Sequence, residues 1–128
     1  MIDAIASWEA SFTFARHVKP GENLRGHWAL GASRIRGDRE ALARAWKQAG
    51  QPVPPAWPIV VTFTRIAARE LDCDNLPPAL KGVRDELTKR LGLRSDRAPD
   101  KVRWVYLQEK AAPKAPSAVR VTIQHFGD

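Results

Sequence analysis

The residues best equipped for chemistry are Asp72, Cys73, Asp74 and Asn75, followed after two prolines by Lys81, Arg84 and Asp85. Two carboxylates and a carboxamide fall within four positions of a chain whose formal net charge is +7. Carboxylates this close repel one another unless a cation lies between them, and a divalent metal ion is the simplest such cation. In an extended segment, side chains at i and i+2 share a face. Asp72 and Asp74 are therefore expected to converge on one ion, with Cys73 turned away as a small buried apolar residue. All-oxygen donors suit magnesium or manganese and not zinc. Asn75 could orient a carboxylate or cap the following helix. Acidic pairs at strand ends also serve as turn formers and caps, so spacing alone leaves both roles open. On a basic surface, the group such a metal would act on is a phosphate.

Composition narrows the setting. A chain of 128 residues with 44% hydrophobic content is expected to form one domain over 1–128 with a real core. It has no apolar run of membrane-spanning length and no signal-peptide pattern, and its one cysteine excludes an internal disulfide or a Cys-based zinc cluster. These features lead to the expectation of a cytoplasmic protein. An isoelectric point near 10.2 makes nucleic acid the leading partner class.

The elements that must position the acidic group follow from periodicity. Residues 8–14 alternate Trp8, Ala10, Phe12 and Phe14 with polar residues, which is strand periodicity. A loop with Pro20 and Gly21 leads to a helical pattern over 25–49, marked by Trp28, Ala32, Ile35, Leu42 and Trp46 and strongest over 38–48. Its other face carries Arg34, Arg36, Arg39, Arg44 and Lys47, either a solvated face or one that meets phosphates. Residues 51–58 contain four prolines and are expected to form a linker or an extended edge. Residues 59–67 are rich in Val, Thr, Ile and Phe with apolar side chains on both faces, so they form a central strand that runs into the acidic segment. A second helix is expected over 77–91, with Leu80, Val83, Leu87 and Leu91 as its apolar stripe, Gly92 as its stop, and Lys81 within i,i+4 reach of Asp85. An acidic and basic loop over 93–101, strands over 102–108 and 119–125, and a flexible link over 110–117 complete the chain. The fold class is α+β: a mixed sheet with two main helices packed on it. His17, His27 and His125 form no motif.

Asp72-x-Asp74-Asn75-Leu76, then a helix with Lys81, Asp85 and Leu87, then an acidic loop and a Val/Trp/Tyr strand, resembles the RusA-type Holliday junction resolvases. The resemblance covers the chain from about Trp57 onward and is loose before it. It implies a RusA-like fold and a small homodimeric hydrolase, a magnesium-dependent endonuclease that cleaves branched DNA in recombination and repair, common in phages and prophages. It implies metal ligation by Asp72, Asp74 and a later aspartate, for which Asp96 fits best and Asp100 next. It also implies a helix lysine at the scissile phosphate. The family's lysine position holds Pro78 here, and Lys81 lies three residues beyond, about 4.5 Å further along a helix. Where the family often has two adjacent aspartates, this chain has Ser95-Asp96. On this reading Asp72, Asp74, Lys81 and Asp96 are catalytic. Arg65, Arg69, Asn75, Lys89, Arg90, Arg94, Arg97 and Lys101 contact DNA. The rival reading is a DNA-binding protein of the same fold with weakened catalysis, favoured by Pro78 and Ser95.

Overall fold

The computed structural model describes residues 5–18 and 28–127. Part of the expected first helix (25–27), the Pro20-Gly21 loop and His27 lie outside the described residues. In chain order the elements are β1 (Trp8–Ala15), α1 (Trp28–Gln48), β2 (Ile59–Ala67), a 3-10 turn (Cys73–Asn75), α2 (Leu76–Ala79), α3 (Lys81–Arg90), β3 (Val102–Lys110) and β4 (Ala118–His125). This is the α+β arrangement expected. The four strands form one mixed sheet in the order β1-β4-β2-β3, in which β4 is antiparallel to both its neighbours and β2 is parallel to β3.

Strand register explains the core. One row across the sheet is Phe12, Val121, Phe63 and Tyr106, and the next is Ala10, Ile123, Val61 and Trp104. Alternation puts these residues on one face, which is buried together with Leu42 and Trp46 of α1 and Val83 and Leu87 of α3. The other face carries Ser11, Thr122, Thr62 and Val105 and remains partly exposed. Phe63 stacks on Trp104 at 5.6 Å and meets Tyr106 at 5.9 Å between centroids, which ties β2 to β3 through the core.

The expected single helix over 77–91 is two helices. Pro77 and Pro78 open α2, where a missing N–H costs nothing, but they give no donors to extend the ladder. Leu80 leaves helical geometry at φ −101°, ψ 12°, is fully buried, and the helix restarts at Lys81. Gly82 then lets α3 approach α1. A Cβ there would sit 2.9 Å from the Ile35 carbonyl oxygen, closer than side-chain carbons come. Gly92 ends the segment as expected, at φ +77°, with the Leu93 N–H donating to Thr88 O at 3.0 Å.

Candidate functional site

The acidic segment leaves the C-terminal end of β2 and is held by two side chains from one row of the sheet. Arg65 and Gln108 are register partners on β2 and β3. The Gln108 amide clamps the backbone of Leu71: Leu71 N–H donates to Oε1 and Nε2 donates to Leu71 O, both at 2.8 Å. Arg65 donates from Nε to Val18 O at 3.0 Å and from its terminal amine to Arg69 O at 2.7 Å. Arg65 is only 5% exposed, and burial lowers its pKa. It is therefore a buried brace for the turn, and its expected role as a surface DNA contact is corrected.

The turn itself differs from the expected extended run. Asp72 is extended at φ −60°, ψ 146°, but Cys73–Asn75 form a 3-10 turn closed by Asn75 N–H to Asp72 O at 2.9 Å. The alternation argument for bringing Asp72 and Asp74 together therefore does not apply. Cys73 is exposed, not buried. It lines a cavity of about 360 Å³ with Glu70, Leu76, Pro77, Tyr106, Leu107 and Gln108. Asn75 occupies the cap position of α2 without a side-chain cap bond, and Asp72 likewise caps nothing. Asp72 and Asp74 are exposed and enter no ion pair among the described residues. The capping alternative is thus not what holds these carboxylates.

Asp96 arrives from the other direction. Because β2 and β3 are parallel, the 93–101 connection enters β3 at the sheet end opposite the acidic turn. It folds back over the sheet face, where Trp104 Nε1 donates to Asp96 O at 2.7 Å. Arg84 Nε lies 2.9 Å from Asp96 Oδ2, although its N–H is not aligned on that oxygen. A terminal amine of Arg84 donates to the Tyr106 hydroxyl at 2.7 Å. Burial raises the Tyr106 pKa, the Arg84 charge opposes this, and the charges of Asp96 and Asp85 add to it. Tyr106 is thus common to both halves of the region: it lines the Cys73 cavity and anchors the Arg84–Asp96 pair. Asp96 is engaged by Arg84, and Asp100 is exposed.

Lys81 makes the surface pair that its spacing allows, 2.8 Å from Asp85 Oδ2, with its side chain 56% exposed. Among the described residues no three His, Cys, Asp or Glu side chains gather into a ready metal group. The donor type still suits a hard cation, because Asp72 and Asp74 offer only oxygen and enter no ion pair among the described residues. Magnesium is commonly held by one or two carboxylates, with waters and substrate phosphate completing its shell.

Of the expected DNA contacts, Arg69, Asn75, Lys89, Arg94, Arg97 and Lys101 are exposed. Arg90 is drawn inward, 2.8 Å from Glu86 and 5.7 Å over the Trp46 ring. His17 is exposed, and His125 is buried with Nδ1 2.9 Å from Pro58 O. Sequence reasoning placed Arg84 beside the acidic residues and Tyr106 on a strand without assigning either a contact, and it passed over Gln108. The readable sign was on β3, where Val102 and Trp104 are followed at the same alternation by a phenol and an amide, polar groups that need partners if that face is covered. No protein-family model matches the chain, and no curated protein shows significant similarity to it.

Proposed function

We propose that this chain is a metal-dependent endonuclease acting on phosphodiester bonds of branched DNA, in the manner of the RusA-type resolvases it resembles. The observation that carries the reading is the exposed Asp72 and Asp74, without an ion pair among the described residues, on a segment whose backbone at Leu71 and Arg69 is fixed by Gln108 and Arg65 in a protein of net charge +7. Asp72 and Asp74 would hold magnesium or manganese, with Asp96 joining only if Arg84 releases it. A bound ion would supply Lewis acidity toward the phosphate and an activated water. Arg84 is the better placed cation. It is fixed by Tyr106 and Asp96, it is planar and always charged, and it can meet a phosphate with two donors. Tyr106 orients Arg84. Exposed Arg69, Lys89, Arg94, Arg97 and Lys101 would position the DNA backbone without reading sequence. A two-fold homodimer would match the two-fold symmetry of a four-way junction.

The second reading, a DNA-binding protein with weakened catalysis, is favoured by two ion pairs. Lys81 is taken by Asp85 and Asp96 by Arg84. Incubating the protein with labelled four-way junction and linear duplex across a magnesium titration separates the two. Metal-dependent nicking of the junction supports the enzyme. Salt-sensitive junction binding without any cleavage supports the second reading, and neither binding nor cleavage removes both.

A further inference from the structure

The cleft between α1 and α3 lies along the helix layer, away from the acidic turn. Its cavity of about 480 Å³ is lined from α1 by Ala32, Ile35, Arg36, Arg39, Glu40 and Ala43, and from α3 by Glu86, Lys89 and Arg90. The α1 residues recur at three- and four-residue spacing, so they form one continuous helix face. The floor is a buried carboxylate shared by two arginines. Arg39 Nε is 3.1 Å from Glu86 Oε1, and Arg90 Nε is 2.8 Å from Glu86 Oε2. Burial pushes the Glu86 pKa up, but the two arginines outweigh it and hold the carboxyl below its ordinary value. Both guanidinium groups are thus fixed through Nε, and their terminal amines have no hydrogen-bond partner among the described residues. Arg36 and Lys89 stand exposed at the rim and enter no ion pair among the described residues. Four cations face two carboxylates, one of which is already neutralised.

We propose that this cleft is a second phosphate-binding station, in which Arg36, Arg39, Lys89 and Arg90 take the backbone of a DNA strand extending from the acidic turn. The proposal rests on the DNA-cleaving reading and adds the path of the substrate. Arginines pre-oriented on a carboxylate lose little side-chain freedom on meeting a phosphate, and their terminal amines suit its oxygens. The acidic turn leads through α2 into α3, which forms one wall of the cleft. Lys81 and Lys89 are separated by eight residues of α3, about 12 Å at 1.5 Å per residue. That is roughly three to four base steps of duplex at about 3.4 Å per step. Asp85 and Lys89 follow Lys81 at four-residue spacing on α3, and Lys89 itself lines the cleft.

The test is fluorescence anisotropy of a labelled four-way DNA junction over a range of sodium chloride, comparing the parent protein with Arg36→Ala/Lys89→Ala and with Lys89→Glu. Both residues are exposed and unpaired among the described residues, so thermal stability should be unchanged. The double variant should bind about ten-fold more weakly near physiological salt, with a salt slope smaller by about two. Lys89→Glu should bind more weakly still, because it replaces an attraction to phosphate by a repulsion. Parent-like affinity and slope in both variants would overturn the station while leaving the DNA-cleaving reading standing. A parent that binds no DNA would overturn that reading and the station with it. An effect of the substitutions on competing RNA or acidic peptide, but not on DNA, would also overturn the proposal.

Discussion

Lys81 and Arg84 are the two cations from which a catalytic group would be chosen, and their surroundings separate them. Lys81 is largely exposed and paired with Asp85, an interaction worth about 0.2–0.5 kcal/mol on a helix surface. Arg84 bridges Tyr106 and Asp96 over the sheet. Lys81→Ala is expected to change single-turnover cleavage less than about three-fold and stability by less than about 0.5 kcal/mol. Arg84→Ala should slow cleavage by about two orders of magnitude with little loss of junction binding, because charge stabilisation acts mainly in the transition state. Loss of cleavage in the Lys81 variant with retention in the Arg84 variant would reverse the assignment. The acidic residues were legible because carboxylates at such density in a basic chain are conspicuous. Their conformation was not, because alternation presumes an extended strand and Cys73–Asn75 close a 3-10 turn instead. The buried role of Arg65 was also hidden, since an arginine late in a strand pattern reads the same whether it faces solvent or braces a loop.

At the scale of elements, the α1–α3 contact carries two tests. Alanine is about 0.8–1.0 kcal/mol more favourable than glycine in a helix interior, so propensity alone predicts that Gly82→Ala stabilises. The Ile35 carbonyl 2.9 Å from the new carbon predicts the opposite, a fall in melting temperature of several degrees. A rise would show that the helices separate without cost. Two buried acids on this contact should respond to pH with opposite sign. Burial raises the Asp38 pKa above its ordinary 3.8 despite the Arg16 guanidinium 2.7 Å away. Its contribution is present in full below 3.8 and is lost as pH rises through the elevated value. Glu86 is held below its ordinary 4.5, so its contribution is present above 4.5 and is lost as pH falls through the lowered value. At pH 7 Asp38→Asn should cost little, and Glu86→Gln should cost about 1–2 kcal/mol, by removing charge-assisted bonds to two arginines. Thermal melts from pH 3 to 8 check this. A Glu86→Gln curve that parallels the parent across the acid range would contradict it. The strands were readable in the sequence to within a residue or two because alternation and β-branched content agree. The split of the second helix was not, because Leu80, Val83 and Leu87 keep helical spacing across the break and only the packing of Leu80 and Gly82 shows where the axis resets.

For the whole molecule, the mixed sheet fixes what can meet. The parallel β2–β3 pair sends the acidic turn out at one end of the sheet and brings the 93–101 connection in at the other. Asp96 enters from that far end and is held over the sheet face by Trp104 and Arg84. That is a property of topology, and residue spacing along the chain did not carry it. Exposed cations stand on α3, Lys81 and Lys89, and in the connection after it, Arg94, Arg97 and Lys101. Among the described residues no helix is long and apolar enough to cross a membrane. Junction affinity should therefore fall steeply between about 50 and 200 mM salt, as counterion release requires for several phosphate contacts. A flat response in a binding titration would remove this face as the DNA surface.

The central claim is that Asp72 and Asp74 hold the metal at which DNA is cut. Its most direct measurement is single-turnover cleavage of a four-way junction in magnesium by the parent protein and by Asp74→Asn, with junction binding measured on the same samples. The account predicts magnesium-dependent cleavage by the parent and a loss of at least about 100-fold in the variant, with binding equal to or tighter than the parent because a charge that repels phosphate is gone. A variant that cuts as fast as the parent at the same magnesium concentration would contradict it.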